Sequence, residues 1–106
     1  MRLAIIGGTQ KDTFKKIGKK YGLAVTHHDG KCKKALEKEF TPIIRNSDVI
    51  IILKGALQHA SMWAVRDLAR EYNKALGFHE GRGATGAIEK AIHLINGGPV
   101  AATAKN

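Results

Sequence analysis

The run Val49-Ile50-Ile51-Ile52-Leu53 constrains this chain more than any other stretch. A strand with one face in water alternates apolar and polar residues. An unbroken β-branched run is buried on both faces, as at the centre of a parallel sheet. Parallel neighbours cannot be joined by tight hairpins, so the rest of the chain must supply crossover helices.

The remaining sequence alternates accordingly. Leu3-Ala4-Ile5-Ile6 is a short buried strand ending in the Gly7-Gly8 turn. Asp12 or Thr13 is placed to cap a helix carrying Phe14, Ile17 and Tyr21 at helical spacing, with Lys11, Lys15, Lys16, Lys19 and Lys20 on its other sides and Gly22 at its end. Leu23 to His27 reads as a second strand and Asp29-Gly30 as a turn. A basic amphipathic helix follows through Cys32, Leu36 and Phe40, which Pro42 is expected to interrupt, leaving a short helical piece from Ile43 to Asn46. After the Val49–Leu53 strand, Lys54-Gly55 turns the chain. His59 to Tyr72 is the longest helix, with Asn73 as a left-handed C-cap. Ala75 to His79 is a short fourth strand. The glycine-rich loop from Gly81 to Gly86 opens a last helix with Ile88, Ala91, Ile92 and Ile95 inward, stopped by Gly97-Gly98-Pro99.

This pattern predicts a small three-layer α/β domain, Rossmann-like or flavodoxin-like, with a four-stranded parallel sheet in the order 2-1-3-4. A chain of 106 residues fits one such domain, over residues 1–96, with an Ala-rich loose tail from 97 to 106. So small a sheet leaves apolar surface at its edges, and a homo-oligomer is expected. No apolar run is long enough to cross a bilayer, and no signal-peptide pattern opens the chain. The lone Cys32 forbids an intrachain disulfide and points to a reducing cytoplasm. There are 18 Lys and Arg against 9 Asp and Glu, and much of the excess lies in the first forty residues. One reading is a solvated basic face. The other is a surface that attracts an anion: nucleic acid, nucleotide or a carboxylated cofactor.

In open parallel sheets, ligands bind beyond the carboxyl ends of the strands. The distinctive residues of this sequence fall there: Gly7-Gly8-Thr9 after the first strand, His27-His28-Asp29-Gly30 after the second, Lys54 to His59 after the third, and His79 to Gly86 after the fourth. Only His93 lies elsewhere among the histidines. Gly7-Gly8-Thr9 lets backbone N–H groups approach an anion ahead of a helix, although for Gly7-Gly8 alone a plain strand-to-helix turn is the favoured reading. Gly81-x-Gly83-x-x-Gly86 matches the dinucleotide fingerprint, but no strand follows to supply the ribose-binding acid. Arg82 beside Gly83 is a carboxylate or phosphate grip in the same loop.

His27 and His28 are adjacent in a strand, so their rings point to opposite sides and only one faces the cleft. Alternation alone does not say which; His28 is the candidate ligand, and Asp29 is placed either to orient a neighbouring imidazole or to cap the turn. His59 opens the third helix, where the dipole keeps an imidazole neutral and able to ligate a metal. Met62 and Trp63 follow one turn later and Arg66 one turn beyond. This stripe of ligand nitrogen, flat apolar surface and positive charge suits a flat, anionic, metal-centred cofactor. The competing reading makes Met62 and Trp63 core residues and His59 a helix cap. Cys32, four residues after His28, matches no standard zinc spacing.

The strand ending in Gly7-Gly8, the His27-His28-Asp29-Gly30 run, Ser47-Asp48-Val49-Ile50, and His59 with Val65-Arg66 behind it resemble a bacterial family, domain of unknown function 2325, over residues 2 to 92. Family members often carry Asp-Cys-x-Ser-His ahead of the histidine matching His59. Here Gly55-Ala56-Leu57-Gln58 has neither Cys nor Ser, and Arg66 stands where the family usually has Lys. These departures put a thiol-dependent role in doubt and leave the paired histidine loops intact. The resemblance implies a small Rossmann-like fold of bacterial origin and raises haem among the ligands.

Three functions follow as expectations. The first is a cofactor- or metal-binding sensor or carrier. His28 and His59 are its ligands to haem or a transition metal, Met62 and Trp63 pack a macrocycle, and Arg66, Arg82 or lysines neutralise its carboxylates. The second is a nucleic-acid- or nucleotide-binding accessory module acting through Lys15, Lys16, Lys19, Lys20, Lys33 and Lys34, against which stands a shortage of exposed aromatics. The third is an enzyme using His28, Asp29 and His59 for acid–base chemistry, weakened by the lack of an evident nucleophile.

Overall fold

The computed structural model describes residues 1–30, 36–54, 59–80 and 84–96, with side chains at 36, 37 and 59 excepted. Along the chain it runs β1 (Arg2–Ile6), α1 (Lys11–Lys20), β2 (Ala24–His28), α2 (Leu36–Arg45), β3 (Val49–Leu53), α3 (His59–Glu71), β4 (Ala75–His79) and α4 (Ala84–Ile95). The four strands form one parallel sheet in the order β2-β1-β3-β4, as the alternation of elements requires.

The β3 run is fully buried because its side chains alternate between two cores. Val49, Ile51 and Leu53 join Leu3, Ile5 and Phe14 under α1 and α4. Ile50 and Ile52 join Ala4, Ile6, Phe40, Ile44 and Val65 under α2 and α3. The connection order places the reversal of winding between β1 and β3, whose following helices, α1 and α3, lie on opposite faces.

Several local details depart from expectation. β2 is displaced by one residue, because Leu23 belongs to the helix-ending turn: its N–H donates to the Gly18 carbonyl at 2.9 Å, with Gly22 at φ +74°. The displacement puts His28 inside the strand. Gln10, not Asp12 or Thr13, caps α1, with no side-chain cap bond, and Asp12 sits in the first turn where the helix dipole favours it. Pro42 does not interrupt α2 but lies within it. An interior proline costs a helix about 3 kcal/mol. Phe40 and Ile44, one turn apart and fully buried, offset that cost at about 1.5–3 kcal/mol each. Asn73 is the left-handed residue after α3, with φ +55°. Gly86 lies inside α4 rather than in the loop before it.

Candidate functional site

Strand register brings the residues that follow all four strands to one edge of the sheet. Ile6 of β1 pairs with both His28 of β2 and Ile52 of β3, and Leu53 pairs with His79 of β4. The residues after these positions, Gly7-Gly8-Thr9, Asp29-Gly30, Lys54 and Glu80, therefore line a common carboxyl rim.

The two adjacent histidines divide between the faces. The His27 ring lies on the α1 side, 5.2 Å from the Phe14 ring, and its Nε2–H donates to the Gly7 carbonyl at 2.9 Å. Gly7 and Gly8 have φ of +113° and +78°, a conformation that L side chains rarely adopt. The Gly7 N–H is itself used, donating to the His28 carbonyl at 2.7 Å. This N–H is therefore already engaged, and His27 holds the turn from behind.

His28 faces α2. Its ring meets Phe40 edge-on at 4.8 Å, and its side chain is 13% exposed. Nδ1 accepts the Gly30 N–H at 2.8 Å, which places the ring proton on Nε2, and Nε2–H donates to Glu39 Oε1 at 3.1 Å. Asp29 Oδ1 lies 3.7 Å from Nδ1. Both ring nitrogens are thus engaged. His28 reaches a metal only after Glu39 gives up Nε2.

The start of α3 is tied to this turn. Ser61, two residues after His59, is buried and donates its hydroxyl to the Gly30 carbonyl at 3.1 Å. The His28-Asp29-Gly30 turn and the helix end that carries His59 are therefore neighbours. One turn along α3, Trp63 is 55% exposed, so it is no core residue, while Met62 is half-buried against the α2–α3 core. The half-exposed Arg66 guanidinium donates to Asp67 Oδ1 at 3.2 and 3.3 Å. Arg82, Gly83 and Cys32 lie outside the described residues, as do Lys33 and Lys34, and at His59 only the backbone is described.

Beyond β3 and β4, Lys54 Nζ pairs with Glu80 Oε1 at 3.0 Å and lies 5.9 Å from the Phe78 ring centroid. A Cβ at Gly86 would lie 2.6 Å from His79 Cε1. The last glycine of the Gly81-x-Gly83-x-x-Gly86 run thus serves close helix–strand packing, the role such a glycine has in nucleotide folds.

Sequence reasoning did not find Glu39, Ser61 or the lock made by His27. Glu39 follows His28 by eleven residues with nothing in the sequence to pair them. The only available signal for His27 was strand alternation, which assigns adjacent residues to opposite faces.

A second cleft, of about 370 Å³, opens at the amino end of the sheet between Arg2, Arg45, Asn46, Asp48 and Lys74. Arg45 in the last turn of α2 and Lys74 just beyond α3 answer the helix dipoles without needing a ligand, while Arg2 opens β1.

Fold and rim together define a small parallel α/β protein with a histidine-bearing carboxyl edge. The chain belongs to the family described as "Uncharacterized protein conserved in bacteria (DUF2325)", whose model matches residues 2–95. It is similar to a UPF0751 protein of Bacillus anthracis, 38% identical over 93 residues that make up 87% of this chain and 94% of that protein. A UPF0751 protein of Bacillus cereus is 37% identical over the same shares, and one of Desulfitobacterium hafniense is 37% identical over 78% of this chain and 83% of its own length.

Proposed function

We propose that this protein is a sensor or carrier that binds a small, flat, anionic, metal-centred cofactor, haem being the leading candidate, at the carboxyl rim. The observation that carries this reading is the buried Ser61–Gly30 hydrogen bond, which joins the His28 turn to the helix end bearing His59.

The donor set suits a macrocycle better than a bare ion. Among the described residues, no three His, Cys, Asp or Glu side chains gather to hold a metal ion. A metal carried inside a macrocycle needs one or two protein ligands. His59 is the ligand that opens α3, and the exposed Trp63 one turn on offers a flat apolar plate beside it. Gly8 and Thr9 N–H groups and Lys54 are the anion contacts, joined by Arg66 and Arg82. His28, fixed by Gly30 and Glu39, shapes the pocket wall and becomes a second ligand only if Glu39 withdraws. Bound haem would supply an iron responsive to redox state or to small gases. The lone Cys32 suits a protein of the reducing cytoplasm.

The test is an absorption spectrum and metal analysis of freshly purified protein, followed by titration with haemin. The expected result is stoichiometric uptake with a sharpened, shifted Soret band. His59→Ala should abolish the shift and His28→Ala should weaken it. A colourless, metal-free protein that takes up no haemin would reject the reading.

A further inference from the structure

Five of the chain's 18 Lys and Arg residues lie on one described helix. α1 carries Lys11, Lys15, Lys16, Lys19 and Lys20 with Asp12 as its one acid, and all five lysines are exposed. Among the described residues none of the five is ion-paired; Lys54 and Arg66 are, and Arg45, Arg70, Lys74 and Lys90 are not. On α3 the charges interleave as Arg66, Asp67, Arg70 and Glu71. Lysines four residues apart on α1 repel one another along two ridges, 11-15-19 and 16-20, with about 6 Å of rise per step. A ten-residue helix with a buried glycine inside it, Gly18, gains nothing in stability from such a pattern.

The ridges lead to an aromatic platform. Tyr21, the C-cap of α1, is 53% exposed. It borders a mostly apolar groove of about 280 Å³, lined also by Leu23 and by Ile92 and Ile95 of α4. Lysines beside an exposed aromatic ring and an apolar groove form the surface a single nucleic-acid strand recognises: phosphates on the cations and a base face on the ring. A lipid surface fits poorly, because the apolar side of α1, with Phe14 and Gly18, is already buried under the sheet.

We infer that the outer face of α1, with Tyr21 and its groove, is a docking surface for single-stranded nucleic acid. This surface is independent of the rim: it uses no residue assigned to the cofactor. Contacts of this kind read phosphate charge and base stacking, so they carry no sequence preference.

The experiment is fluorescence anisotropy of a labelled oligothymidylate of about twenty nucleotides, long enough to cover one small domain, titrated with the full chain at several salt concentrations. Engagement of about three lysines gives a log–log salt slope near −2, or about twentyfold weaker binding at 200 mM than at 50 mM salt. Lys15→Gln/Lys16→Gln/Lys19→Gln should bring that slope towards zero. Tyr21→Ala should weaken binding about tenfold with the slope unchanged. Circular dichroism checks that each variant is folded. No binding at 50 mM salt, or unchanged binding by the folded triple-lysine variant, would overturn the assignment. So would polyglutamate competing as well as the oligonucleotide while Tyr21→Ala binds normally, which would mark a surface for acidic proteins.

Discussion

On one face of the sheet, α1 and α4 come close through glycine. Gly18 lies against Val25, Gly77 against Leu94 and Ile51, and Gly86 against the His79 ring. On the other face, α2 and α3 pack through bulk, with Phe40, Ile44, Val65 and Leu68 over the central strands. The difference extends outward. The glycine-packed face presents exposed lysines to solvent, and the bulk-packed face holds the His28 turn in a network of Gly30, Glu39 and Ser61. One layer therefore presents charge while the other positions side chains, and His27 and His28, adjacent in sequence, each belong to a different one.

The largest effects should come from the two buried phenylalanines. Phe14→Ala and Phe40→Ala should each cost about 3–5 kcal/mol in chemical denaturation. Only Phe40→Ala should also disturb the His28 side chain, whose ring it supports edge-on. Equal perturbation of His28 by both variants, read from its side-chain NMR signals, would remove the distinction between the faces.

Added bulk should discriminate next. Gly18→Ala and Gly86→Ala each gain about 1 kcal/mol of helix propensity. Each new methyl meets a fixed neighbour, the β-branched Val25 or the His79 ring, and overpacking of this kind costs about 1–3 kcal/mol. Net destabilisation is expected in thermal melts, and a stabilised variant at either position would show that this face is looser than described.

Ser61→Ala tests the bulk-packed face. It leaves the buried Gly30 carbonyl without its hydroxyl donor, at about 1–3 kcal/mol, and should weaken haemin uptake along with stability. The smallest change belongs to the lysine face: Lys19→Gln should alter stability by no more than about 0.5 kcal/mol while lowering the salt dependence of oligonucleotide binding.

The sheet was legible because its signal is categorical. An unbroken β-branched strand with helices between strands admits few topologies, and the order 2-1-3-4 follows from right-handed crossovers. Pro42 was misleading because its local penalty is visible in sequence and the compensating burial of Phe40 and Ile44 is not. At the site, placement of the turns on one rim followed from the fold class. The partners of His28 did not, because Glu39 and the Ser61–Gly30 bond arise from how α2 and α3 lie over the strand ends, and no spacing encodes that. Trp63 showed the limit of composition: its exposure depends on which side of α3 meets the core, where Val65, Leu68 and Ala69 occupy the inward positions.

The joining of two turns into one binding edge can be measured by NMR on isotope-labelled protein titrated with ferric haem. Paramagnetic broadening should centre on the amides of Gly8, Thr9, Gly30, Ser61 and Trp63, and leave Arg45, Asp48 and Lys74 at the opposite end sharp. Broadening centred on that opposite end, or spectra unaffected by haem, would contradict the account.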